Sequence, residues 1–86
     1  GMPEYYERRK PMYTVEVYNK NKKLIETYHN IHTITYIDTL GEKNIVTGDD
    51  LLTHYFPPYN SYQLLADKGN YSIDKSVIGT FEITSD

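Results

Sequence analysis

Apolar and polar residues alternate along Tyr13–Tyr18, with Tyr13, Val15 and Val17 on one side and Thr14, Glu16 and Tyr18 on the other. A period of two predicts a half-buried strand. Asn19-Lys20-Asn21-Lys22 supplies turn chemistry, and Leu24–His29 returns as the second arm of a hairpin. Asn30–Asp38 is the longest β-branched run. Ile31, Thr33, Thr35 and Ile37 fall on one face, and His32, Ile34 and Tyr36 on the other. Both faces are partly apolar, as in an interior strand or one that bends across two layers. Gly41 can take positive φ in the next turn, and Asn44–Thr47 is a short return strand.

The alternation stops across Thr47–Tyr59, TGDDLLTHYFPPY. Asp49 or Thr47 suits a helix start, and Leu51, Leu52 and Tyr55 sit at helical spacing. Phe56 precedes proline and must leave the helical region, so the helix is one or two turns long. Beyond Pro57-Pro58 the strand pattern resumes over Ser61–Ala66, turns at Asp67-Lys68-Gly69-Asn70 with Gly69 at positive φ, and returns over Tyr71–Asp74. Ser76–Thr84 closes the chain with Val77, Gly79, Phe81 and Ile83 on one face. Gly79 there marks a bulge or a close backbone approach.

These elements predict an all-β domain of five to seven strands, a small meander or SH3-like barrel, with one short helical turn near residues 49–55. The alternative is α+β, a curved antiparallel sheet covered by that helix. Residues 1–11 read as a flexible N-terminal tail beginning with a tag-derived Gly1, and residues 12–86 as a single small domain.

Composition changes this picture in one respect. Ten tyrosines stand against two phenylalanines and no tryptophan in 86 residues. Tyrosine packs well on a pleated surface, so the bias fits core strands; it also fits an exposed binding face. Without cysteine, disulfides, thiolate metal sites and thiol nucleophiles are excluded. The net charge of −3 argues against a general phosphate-binding surface. No apolar run approaches the ~20 residues of a membrane span, which leads to an expected cytoplasmic location. The abundance of Ile, Lys, Asn and Tyr suits an AT-rich bacterial or phage genome.

Candidate chemistry is sparse. His29, His32 and His54 follow no metal-ligand spacing, and neither a nucleophile elbow nor a phosphate loop is present. The sequence therefore leads to a non-catalytic protein-interaction module that self-associates or binds another protein, with no cofactor or metal and no membrane partner. Its expected surface comprises Tyr18, Tyr36, His54, Tyr55, Tyr59 and Ile78, residues on the loop or opposite the regular apolar rows. The alternative is single-stranded nucleic-acid binding through exposed tyrosines and a basic arm of Arg8, Arg9 and Lys10. Against it, the strands carry few cations, which lie instead in the tail and at turns.

Overall fold

One long strand organises the chain. The computed structural model describes residues 11–86 and contains β1 (Tyr13–Tyr18), β2 (Leu24–Ile37), β3 (Lys43–Thr47), a helical turn α1 (Asp50–Thr53), β4 (Tyr62–Ala66), β5 (Gly69–Ile73) and β6 (Thr80–Ser85). All six strands join one antiparallel sheet in the order β5-β4-β2-β1-β6, with β3 paired to β2 off that path. Ile31 pairs with both Tyr13 of β1 and Ala66 of β4, so these strands lie on opposite edges of β2. Thr33–Tyr36 pair with β4 and β3 at once, which puts β3 on the β1 side. The all-β architecture and the helical turn agree with the sequence pattern. The sheet is curled but open: among the described residues β5 and β6 form its ends and do not pair with each other.

The two strands expected over Leu24–His29 and Asn30–Asp38 are a single strand with irregularities. Tyr13 opposes Ile31 while Val15 opposes Tyr28, so β2 carries an extra residue between them, and Asn30 takes φ 60° there. A second extra residue lies between Ile31 and Thr33, which oppose Ala66 and Leu65. Each bulge adds local bend and shifts the face presented by the residues beyond it. Ile31, Ile34 and Tyr36 therefore all point inward, whereas Ile37 is 55% exposed. This corrects the face assignment read from strict alternation.

Tyr13, Val15 and Val17 face the core as their spacing predicts. They meet the inner rows of the other half of the sheet, Val46–Ile34–Leu64 and Tyr36–Tyr62–Ile73. Leu51 of α1 plugs one side and is buried. Asp49 stands at the helix start but makes no side-chain capping bond; its carboxylate accepts a hydrogen bond from the Tyr13 hydroxyl at 2.7 Å. Gly41 takes φ 81° in the β2–β3 turn, where Asp38 accepts the Leu40 and Glu42 amides. A hydrogen bond from Asn44, with those two amides, holds the Asp38 carboxyl below its ordinary range, against partial burial.

β6 begins later than the pattern suggested. Residues 75–77 form a turn, Val77 is exposed, and Ile78 turns inward to 4% exposure. Freed from strand alternation, Ile78 belongs to the core and not to an interaction surface.

Candidate interaction surface

The loop between α1 and β4 is anchored by an interlocked group of rings. Phe56 meets His54, Tyr62 and Phe81 edge to face at centroid distances of 4.7, 5.7 and 5.5 Å. Tyr62 touches Tyr36 and Phe81, each at 4.9 Å. Such arrangements place the positive ring edge against a negative ring face. Two polar contacts fix the loop further: the Tyr36 hydroxyl bonds His54 Nε2 at 2.7 Å, and the Tyr62 hydroxyl donates to the Pro57 carbonyl. Burial pushes Tyr62 up to about 12, partly offset by a hydrogen bond with the Asn60 side chain.

That anchoring leaves two rings outside. Tyr55 is 74% and Tyr59 72% exposed. Tyr59 also holds φ 73°, a backbone region that bulky residues rarely enter. Its ring lies 6.0 Å from the Lys20 ammonium.

Lys20 belongs to the β1–β2 turn, which the structure brings to this loop. Asn19 organises the turn by accepting the Asn21 and Lys23 amides on its side chain, while Lys22 takes φ 64°. The β5–β6 loop closes a triangle. Its Lys75 amide donates to the Ser61 hydroxyl at 3.1 Å, and its Gly79 amide donates to the Tyr18 carbonyl at 2.6 Å. Hydrogen bonds from Ser76, from its hydroxyl and then its backbone amide, lower the Asp74 pKa, with Ser61 and Lys75 adding to the effect.

The expected surface residues separate accordingly. Tyr55 and Tyr59 are exposed on one loop, and His54 is half-buried among the rings beneath them. Tyr18 is half-buried at the end of β1; burial and then the carboxylates of Glu16 and Glu82 raise its pKa. Tyr36 is 6% exposed and, like Ile78, is a core residue, because the β2 bulges turn it inward. Arg8, Arg9 and Lys10 lie outside the described residues.

Other surface features escaped the sequence reading. Ile37 and Ile45 are diagonal neighbours on the outer face of β2 and β3, 55% and 61% exposed. Leu40 in the adjoining turn is 84% exposed, and Leu52 of α1 is 45% exposed. A groove of about 240 Å³ lies between β3 and α1, lined by Asn44, Ile45 and Val46 on one side and Asp50, Thr53 and His54 on the other. A larger depression of about 540 Å³ lies over β2, β4 and β5, where Thr35, Ser61 and Ser72 leave room above the backbone.

The histidines have separate partners. His29 bonds Thr14, His32 bonds Thr33 and approaches Asp67 at 3.6 Å, and His54 bonds Tyr36. Comparison with protein-family models, curated proteins and solved structures gives no match to this chain.

Proposed function

We propose that the protein is a non-catalytic interaction module that associates with a second copy of itself along the β3 edge. The observation that carries this reading is an open strand edge bordered by exposed Ile37, Ile45, Leu40 and Leu52. Among the described residues β3 pairs only with β2, so its other edge offers unpaired backbone groups. The five-residue strand is self-complementary in antiparallel register. A two-fold axis through Ile45 sets Ile45 against its own copy and Lys43 against Thr47, with no like charges opposed. A domain of this size without disulfides also gains stability by covering apolar surface in this way. In support of the non-catalytic part, each histidine is engaged by a nearby hydroxyl, His29 by Thr14, His32 by Thr33 and His54 by Tyr36.

Sedimentation equilibrium from low to high micromolar concentration tests the association. The expected result is a concentration-dependent dimer of the 10.1 kDa chain. Ile45→Lys places two ammonium groups across the axis and should return the protein to monomer, with the melting temperature of the parent diluted to its monomeric range. A single monomeric species for the parent at all concentrations refutes the reading.

A further inference from the structure

We propose that the end of the molecule carrying Tyr59 and the turn lysines binds single-stranded nucleic acid. This surface is centred on Tyr59 and not on β3, and the inference does not depend on self-association. Residues 19–23, 54–61 and 74–79 contain Lys20, Lys22, Lys23 and Lys75 against one acid, Asp74. The three segments are in mutual contact through Lys20 and Tyr59, Ser61 and Lys75, and the close approach of Gly79 to the Asn19 backbone. Among the described residues none of the four lysines has a carboxylate within 4.0 Å, so their charge is not neutralised by ion pairing. Asp74, the acid within these segments, is committed to Ser61 and Ser76, and the next carboxylates, Glu16 and Glu82, flank Tyr18.

Charge alone would suit any polyanion; the ring selects among them. Tyr59 is held by a loop whose neighbours are packed, so stacking a base on it costs little ordering of the protein. Its large aromatic side chain stands outside the core, next to a cation that can meet a phosphate. Unpaired bases stack on aromatic faces while lysines follow the backbone, and this pairing of functions is the mode of sequence-tolerant single-strand binding. An acidic peptide would use the lysines and leave the ring without a partner. A duplex keeps its base faces covered. Outside these three segments the sequence carries 11 acids against 5 Lys and Arg, a balance that disfavours a phosphate backbone there.

The test is a titration of the full chain, followed by tyrosine fluorescence and by anisotropy of a labelled oligothymidylate of eight nucleotides at low salt. Saturable binding is expected, with log affinity falling against log salt at a slope of about −2 to −3 for three or four phosphate contacts. Tyr59→Gly, which keeps the left-handed backbone, should weaken binding roughly 5- to 150-fold without lowering the melting temperature. Lys22→Gln with Lys23→Gln should make the salt slope shallower by about 1.4. Absence of saturation overturns the proposal. Equal or tighter binding of a polyglutamate peptide or of a matched duplex, or no effect of Tyr59→Gly on the oligothymidylate, also overturns it.

Discussion

A single methyl group at Gly79 tests the packing of the loops against one another. An added Cβ there would overlap the Asn19 carbonyl and lie 2.9 Å from the Lys20 amide nitrogen. These are backbone atoms of a turn held by three hydrogen bonds to Asn19, so the turn cannot yield easily. Moving Gly79 away instead stretches its 2.6 Å bond to the Tyr18 carbonyl. Overpacking of this kind costs about 1–3 kcal/mol, and a lost hydrogen bond about 1 kcal/mol. The opposing effect is known in sign. Gly79 is not in the left-handed region, so alanine would stabilise by about 0.4–1 kcal/mol through the unfolded chain if there were space for it. Gly79→Ala should therefore destabilise by about 1–3 kcal/mol, or roughly 5–20 °C in midpoint. Gly69→Ala supplies the control. Its Cβ would meet only the Tyr71 side chain, at 3.7 Å, and Gly69 is not left-handed either. That variant should gain about 0.4–1 kcal/mol. Urea denaturation followed by circular dichroism measures both. If Gly79→Ala is as stable as the parent, the close approach of the β5–β6 loop to the β1–β2 turn is wrong.

The other predictions address the bend, the ring cluster and the buried hydroxyls. Asn30→Val should cost about 1–2 kcal/mol because a β-branched residue resists φ 60°, whereas Asn30→Gly should be close to neutral in urea denaturation. Phe81→Ala should cost about 2–4 kcal/mol, since its half-buried ring packs against both Phe56 and Tyr62; a change of a degree or two in melting would contradict that packing. Tyr13 and Tyr62 should be the last tyrosines to ionise in an ultraviolet titration. The hydrogen bond to Asp49, with burial and the charge of that carboxylate, lifts Tyr13 to about 12, and burial lifts Tyr62 to about 12. Both pKa values are raised on folding, so the stability they contribute is complete below about pH 10 and is lost as pH rises toward 12. Asp49→Asn should bring the Tyr13 transition down and leave that of Tyr62 in place.

Much of the fold was legible because it depends on local patterns. The Tyr13-Val15-Val17 row and the left-handed Gly41 each stem from a few neighbouring residues, and Gly79 announced a close backbone approach without naming its distant partner, the Asn19-Lys20 turn. The site was less legible. A bulge inserts one residue without a compositional mark beyond Asn30, yet it sends Tyr36 inward and leaves Ile37 outside. Gly69 resembled the left-handed residue of a tight turn, but the Asp67-Lys68 turn joins paired Ala66 and Gly69 without needing positive φ there. Tyr59 was recognisable as exposed because prolines separate it from the helix pattern, whereas Tyr55, at helical spacing with Leu51, lies outside because the helix ends at Thr53. The lysines near them were not: Lys20 and Tyr59 are distant in sequence and meet only through tertiary structure.

That meeting is forced by chain length. Pairing sets Thr80 beside Tyr18 at one end of the sheet, and sets Ile73 in a row with Tyr62 and Tyr36 at the other. On β2 these ends correspond to Leu24 and Tyr36, which a straight strand at about 3.3 Å per residue would hold roughly 40 Å apart. The seven residue steps from Ile73 to Thr80 reach at most about 25 Å when fully extended. A flat sheet therefore cannot be connected by this loop, and β2 must bend between its halves. The bulges around Asn30 and His32 stand at that bend. The same bend folds Phe81 onto Tyr62 and carries the β1–β2 turn to Tyr59, so the core cluster and the lysine-bearing surface share one structural cause.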